Sequence, residues 1–244
     1  MSEYADAAEY LHLLSRPMWA GLSARLRAVL REVDGAAGPV LELGAGTGLG
    51  TDVLLDSLPN EVLVAEPSPT LRAILLARLA DRSTNRVTVL PAGALDAPLP
   101  DRLAAVVGMH MVGHLPPDDR HRLWTALARR LAPGSPVVLN VQPPATATAV
   151  PPWPWSGVTV GGLTYEGTGE AEPTGPGEVR WRMRYRTRRG DTVLATAHAA
   201  YRWWPVGADP LAAELADAGL TPHVDGDLVV ARAAGGPAHA ARTI

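Results

Sequence analysis

Cysteine, lysine and phenylalanine are all absent from the 244 residues. Without cysteine there is no disulfide framework, no thiol nucleophile and no cysteine-ligated zinc. The missing lysine and phenylalanine, beside plentiful Ala, Gly and Pro, read as GC-rich coding bias, and no mechanism is drawn from them. No apolar run approaches the about 20 residues that span a bilayer, so no membrane partner is expected. The start, Met1-Ser2-Glu3-Tyr4-Ala5-Asp6, lacks the basic and apolar regions of a signal peptide, and a cytoplasmic protein is expected. A formal charge of −3 argues against nucleic acid as a partner. What is present is core: 47% of the residues are apolar, enough for one sizeable domain or a domain with a large insertion.

The most informative stretch is Val40-Leu41-Glu42-Leu43-Gly44-Ala45-Gly46-Thr47-Gly48-Leu49-Gly50. It reads as a buried strand, a glycine-rich turn and a helix from about Thr51. Gly44, Gly46 and Gly48 remove Cβ atoms from the turn, so backbone can take positive φ and approach a ligand closely. The first amides of the next helix point to the same place. A dinucleotide fingerprint needs a small third residue, and here that position is Leu49. A second strand, 61–66, ends in Glu66, about 20 residues beyond the glycines, where nucleotide folds place a carboxylate on ribose hydroxyls.

The segment E-L-G-A-G-T-G resembles motif I, and V-L-V-A-E-P-S motif II, of class I S-adenosylmethionine (SAM) methyltransferases. The resemblance spans about residues 36–142 and the final helix and strand. It implies an α/β fold: a doubly wound, mostly parallel seven-stranded sheet with N-terminal helices and an inserted antiparallel β lid. It also implies SAM as cofactor, held by Glu42, Gly44, Ala45, Gly46, Gly48, Glu66, Pro67, Ala94, Leu95 and Met109, with Tyr10 of the N-terminal segment near the methionine end. The family's adenine-binding Asp is replaced by Ala94, which leaves backbone groups around Gly93–Leu95, the Leu95 side chain or Asp96 to hold the base.

Residues 2–34 are expected to form two helices broken around Ser15-Arg16-Pro17. Helices follow at 51–57, 70–82, 118–131 and 209–218, and strands at 87–90, 103–108, 136–141 and 227–232. Met109-His110-Met111-Val112-Gly113-His114 leaves the strand at 103–108, where such sheets present chemistry. Four residues apart, His110 and His114 would share one face of a helical turn. Each is a candidate catalytic base with a pKa near the working pH. With no third ligand beside them, no metal is expected. Asn140 and the later Pro143-Pro144 are not contiguous, so they do not form an Asn-Pro-Pro motif.

From residue 143 the composition turns Pro- and Trp-rich and then β-rich. Arg180 to Arg186 alternates with period two, and Arg188-Arg189-Gly190-Asp191 turns it into a hairpin. An earlier strand is expected at about 158–166. This insertion resembles the lid of small-molecule methyltransferases, which roofs the acceptor and in some members forms a homodimer contact. Trp19, Trp153 and Trp155 are candidate substrate-binding residues. The expected organisation is a helical cap (1–35), a SAM-binding core (36–142), the lid (143–205), a closing helix and strand (206–233) and a tail (234–244).

The expected activity is methyl transfer from SAM to an O, N or C nucleophile of a small molecule in natural-product biosynthesis. The alternative is a non-methylating cyclase of the same fold that keeps SAM as a structural ligand or has lost it. A nicotinamide-linked reductase is disfavoured by Leu49.

Overall fold

Val40, Leu41, Glu42 and Leu43 are all buried and form the first strand, β1. Burial on both faces is the mark of a parallel strand covered by helices on each side. The computed structural model describes residues 6–82 and 85–235. The sequence expectations for residues 1–5 and for the tail beyond Gly235 lie outside the described residues. In chain order the elements are α1 (Ala8–Leu30), β1 (Val40–Leu43), α2 (Leu49–Ser57), β2 (Val62–Ala65), α3 (Pro69–Ala80), β3 (Val87–Leu90) and β4 (Ala105–Gly108). A 3-10 turn (Val112–His114), α4 (Pro117–Ala128) and β5 (Pro136–Asn140) come next. The inserted strands are β6 (Ser156–Val160), β7 (Leu163–Gly175), β8 (Glu178–Arg189) and β9 (Thr192–Trp203). The chain closes with α5 (Ala208–Asp217), β10 (Thr221–Asp225) and β11 (Leu228–Arg232).

The main sheet has the order β10-β11-β5-β4-β1-β2-β3. β1 to β5 pair in parallel, and β11 runs antiparallel to both β5 and β10. Alternation along each strand divides the core in two. Val40, Val62, Ala105, Val107 and Val138 pack with Leu22, Leu26 and Leu30 of α1 and with Val53 and Leu54 of α2. Leu41, Leu43, Val106 and Val137 pack with Trp124 and Leu127 of α4 and with Leu211 and Leu215 of α5. The chain leaves β1 for β2 on one side and returns to β4 on the other, so the crevice at the C-terminal ends of β1 and β4 is the switch point where ligands bind in such sheets.

Outside the lid, two elements differ from expectation. The N-terminal segment is one helix, with Pro17 inside it. Pro17 lies on an exposed side, where the helix tolerates the loss of one internal hydrogen bond because solvent can replace it. The last part contains an additional strand, β10, which carries Pro222. Its position at the edge of the sheet, paired to β11 alone, is where a strand tolerates proline.

The lid is a separate antiparallel sheet of order β6-β7-β8-β9. The strand expected at 158–166 is two strands, β6 and β7, joined through Gly161 at φ 58° and Gly162. The hairpin of β8 and β9 forms as expected. Tyr185 and Trp181 are buried on one face, while Arg180, Arg182 and Arg184 are exposed on the other. Tyr185 and Met183 pack against α1 through Tyr10, Leu11 and Leu14.

Candidate active site

The turn after β1 has three left-handed residues, Gly44 (φ 66°), Gly46 (φ 58°) and Gly48 (φ 86°). The main-chain amides of Gly44 and Ala45 donate to the Ala65 carbonyl at the end of β2, at 2.9 and 3.3 Å. That of Gly46 donates to Glu66 Oε2 at 2.7 Å. A Cβ on Gly44 would lie 2.9 Å from Met111 Cβ, and one on Gly48 would collide with Leu75. At Gly46 it would meet nothing within 4 Å. Packing therefore fills the space beside the outer two glycines, whereas Gly46 borders open space.

Glu66 is buried, and its other oxygen, Oε1, accepts from the Ser68 amide at 2.7 Å. Burial raises its pKa, opposed by the Ser68 and Gly46 amides and by Arg72. A carboxylate offers about four lone-pair directions, so each oxygen retains acceptor capacity after these bonds. Glu42 sits deeper, on the α1/α2 side of β1. Its Oε2 accepts from Thr51 Oγ1 at 2.5 Å. Burial pushes its pKa up to about 7, opposed by the Thr51 hydroxyl and reinforced by Asp52 and Glu66. Glu42 and Trp19 fill the space where a Gly50 side chain would be, with Trp19 Cη2 2.9 Å from such a Cβ.

The N-terminal helix covers this cradle. His12 Nδ1 and Thr47 Oγ1 lie 2.9 Å apart, and the Thr47 carbonyl accepts from Arg78 Nη1 at 2.6 Å. His12 has a lowered pKa, through burial first and then the nearby Arg78 and Arg16, with Asp52 opposing. No periodicity in the sequence marks His12 as a neighbour of the turn.

Past the end of the neighbouring strand β4, the two histidines part company. His110 precedes the 3-10 turn and has φ 59°, the one positive φ outside glycine among the described residues. Such backbone costs a non-glycine residue about 1 kcal/mol or more. Its amide donates to Asn140 Oδ1 at 2.7 Å, and its ring meets Trp19 edge-on with centroids 5.7 Å apart. His114 packs instead against Trp203 and Tyr201 of the lid, at 4.9 and 5.3 Å. The expected shared face is thus replaced by two separate environments. Burial lowers the His110 pKa, opposed by Asp227, and drives His114 down to about 4. His114 is therefore a neutral imidazole at neutral pH, and the expectation of a base tuned near that pH is corrected by its desolvation.

Other sequence candidates fall into place by their contacts. Tyr10 is 1% exposed, its hydroxyl lies 2.8 Å from Thr187 Oγ1, and its ring stacks on Tyr185 at 5.2 Å. It fastens α1 to the lid rather than presenting a hydroxyl to a cofactor. Trp155 lies under the Arg186 guanidinium, 4.1 Å from its ring centroid. This is the charged face of the lid, opposite the one that covers α1, so the roofing role expected of Trp155 is not met. Trp153 packs edge-on to Trp181 at 5.9 Å, and a Cβ on Gly169 would meet both Trp153 and Met183, which puts its ring on the inner face. Met109 is buried in the core. Ala94 and Leu95 pack against the opposite cluster, Asp96 is exposed beside Gly93, and Pro67 is exposed with its carbonyl bonded to Arg72.

The lid meets the core at Gly113. The Trp204 amide donates to the Gly113 carbonyl at 2.7 Å, and Trp203 occupies the place of any Gly113 side chain. A separate groove of about 500 Å³, lined by residues including His121, Thr125, Arg129 and Asp217, lies near the C-terminal ends of α4 and α5 and shares none of these groups.

The site residues suit SAM. A glycine turn open at Gly46 admits a ligand with no pyrophosphate, and Glu66 retains lone pairs for two vicinal hydroxyls. Residues 40–134 match the family model described as a methyltransferase domain. Among solved structures, the chain resembles DesVI of Streptomyces venezuelae, with 20% identity, 88% of this chain and 92% of that one covered, and a TM-score of 0.71. It also resembles the SAM-bound amino pentose methyltransferase from Micromonospora echinaspora involved in calicheamicin biosynthesis (18% identity, 88% and 91% covered, TM-score 0.68). A third is a sugar N-methyltransferase from Streptoalloteichus (21% identity, 90% of each chain, TM-score 0.66). At these identities the likeness is one of fold. A curated relative, the probable ribosomal RNA small subunit methyltransferase A of Natronomonas pharaonis, is 44% identical over 68 residues. That match covers 28% of this chain and 24% of the relative, so the chain spans about a quarter of that protein's length. Residues 40–134 thus carry a methyltransferase-domain match, and the sheet order built around them is that of the class I SAM-dependent methyltransferase fold, which this chain resembles.

Proposed function

We propose that the protein methylates a nucleophilic atom, an amine first among the candidates, of a small molecule in natural-product biosynthesis. The observation that carries the reading is the cradle at Gly46, open on its ligand side and backed by Glu66. SAM supplies a methyl group on a sulfonium, and the acceptor's lone pair forms the new bond as the carbon–sulfur bond breaks.

In this reading Glu66 takes the ribose hydroxyls, the turn at Gly44–Gly48 admits the ligand's backbone, and α1 closes over it through His12 and Trp19. The lid covers the acceptor with Trp203, Tyr201 and Trp153, which displace water from the nucleophile. Desolvation suits an amine, because an apolar surround favours the neutral form that carries the lone pair. An amine needs no strong base before attack, which agrees with an imidazole as weakly basic as His114. The names of the similar structures, an amino pentose and a sugar N-methyltransferase, support the same acceptor class.

The test is calorimetric titration with SAM and S-adenosylhomocysteine, with NADH as control, after mass spectrometry has checked for co-purified nucleoside. A screen of amino sugars and other small amines follows. Binding of the SAM pair with NADH silent, and methylated product in the screen, is the expected result. Absence of SAM binding by folded protein would favour the non-methylating cyclase reading, with Ala94 marking the lost adenine contact.

A further inference from the structure

Strand β5 reads Pro136-Val137-Val138-Leu139-Asn140, and every residue in it is buried. The first four suit a strand covered on both faces. Asn140 does not, because a buried amide is unfavourable unless its hydrogen bonds are met. Among the described residues its side chain makes one, from the His110 amide to Oδ1 at 2.7 Å. The register explains the reach. Leu139 pairs with Gly108 on the parallel strand β4, so Asn140 lies just beyond that pair, beside the turn that leaves β4.

The turn needs the contact. His110 has φ 59°, a conformation that disfavours any residue with a Cβ and persists where the surroundings hold it. Two things hold it: the Asn140 oxygen on its main chain, and Trp19 of α1, whose ring meets the imidazole at 73°. The imidazole is thereby set where α1, the end of β4 and the end of β5 converge.

We infer that Asn140 is a positioning residue for the reaction, fixing the His110 imidazole through the His110 main chain. The turnover part of this inference rests on the methyltransferase reading above. The role is independent of any Asn-Pro-Pro motif, since the residues after Asn140 are Val141 and Gln142.

The experiment compares the full-length protein with Asn140→Leu, which keeps the branched shape and loses the acceptor, and Asn140→Asp, which keeps an acceptor oxygen. The first readout is hydrogen exchange of the His110 amide. We expect slow exchange in the wild type and in Asn140→Asp, and exchange at least tenfold faster in Asn140→Leu. The second readout is kinetics on the best amine from the acceptor screen, with SAM affinity measured alongside. Asn140→Leu should lower kcat at least tenfold while the SAM Kd stays within twofold, and Asn140→Asp should recover most of the loss. If Asn140→Leu does not fold, Asn140→Ala takes its place with the same expectations. Unchanged exchange in the variant that lacks the acceptor overturns the clamp. Fast exchange with unchanged kcat overturns the positioning role. If the wild type binds no SAM and methylates nothing, the proposed function has failed and the positioning role with it, while the exchange rates still report whether the clamp exists.

Discussion

Glu42 Oε2 accepts a hydrogen bond from Thr51 Oγ1 at 2.5 Å, across the turn that joins β1 to α2. This bond ties a fully buried acid to the first turn of the helix that opens after the glycine turn. The bond and its surroundings determine how the stability of the fold responds to pH.

The Glu42 carboxyl has an ordinary value of 4.5 and is raised to about 7 in the fold, chiefly by burial. Between those limits the folded state holds a proton that the unfolded chain has released. Stability is therefore lost as pH rises from about 4.5 to about 7, and the loss is complete above that, at about 3 kcal/mol in order of magnitude. Glu42→Gln keeps an acceptor for Thr51 and removes the titration. Urea unfolding from pH 5 to pH 8 should show the wild type falling relative to Glu42→Gln. Parallel curves would show that Glu42 does not titrate in this window.

Gly46 and Gly161 provide a matched pair. Both have φ 58° and both would place a Cβ in open space, but one borders the cradle and the other joins β6 to β7. Asparagine tolerates left-handed backbone better than other side chains. Gly46→Asn should keep a near-wild-type melting temperature and weaken SAM binding by roughly a hundredfold, about 2.8 kcal/mol. Gly161→Asn should change neither. Equal SAM affinity in the two variants would disprove the cradle assignment.

Arg120 is 3% exposed and is held by both oxygens of Glu214, whose side chain is 25% exposed. Its Nη1 also donates to the Leu115 carbonyl at 2.9 Å, which joins α4 and α5 to the loop after His114. Removing one partner of a buried pair strands the other, and the two partners are not equally stranded. Glu214→Leu leaves a guanidinium without a countercharge and should cost about 3 kcal/mol. Arg120→Leu leaves a carboxylate that water can reach and should cost less. The double variant should be more stable than Glu214→Leu alone. Denaturant melts of the three proteins decide the order, and equal losses in the single variants would contradict the asymmetry.

His114 is lowered to about 4 from an ordinary 6.5. The folded state therefore resists a proton that the unfolded chain accepts, and this contribution to stability is present above pH 6.5 and lost as pH falls from there toward 4. The same shift keeps the imidazole neutral throughout the physiological range. Its ring-proton resonance should stay at the neutral position from pH 8 down to 5.5. A titration midpoint near 6.5 would mean that the contact with Trp203 and Tyr201 leaves the ring hydrated.

The glycine turn, the acid at the end of β2 and the alternation of β8 could be read from the sequence because each follows from a local rule. Positive φ selects glycine, a period of two selects a strand, and Glu66 lies at a fixed spacing from the turn. What could not be read depends on contacts distant in sequence. Tyr10 finds Thr187, 177 positions away, and nothing near Tyr10 signals that partner. His110 and His114 fit a helical spacing, but a left-handed residue at 110 ends that geometry before it begins. Pro17 is a helix breaker by local rule and is overridden because its side of α1 faces water. Asn140 belongs to no local motif, and its partner, the His110 amide, lies on the turn that leaves the neighbouring strand.

Within α1, His12 contacts the glycine turn and Tyr10 contacts the lid, two positions apart. The two walls of the active site hang from one beam. Grafting a foreign lid onto this core, to borrow another enzyme's acceptor, would have to bring the matching first helix with it. A graft bounded at the lid's own strands would sever the Tyr10–Thr187 contact and loosen the hold on Thr47 as well.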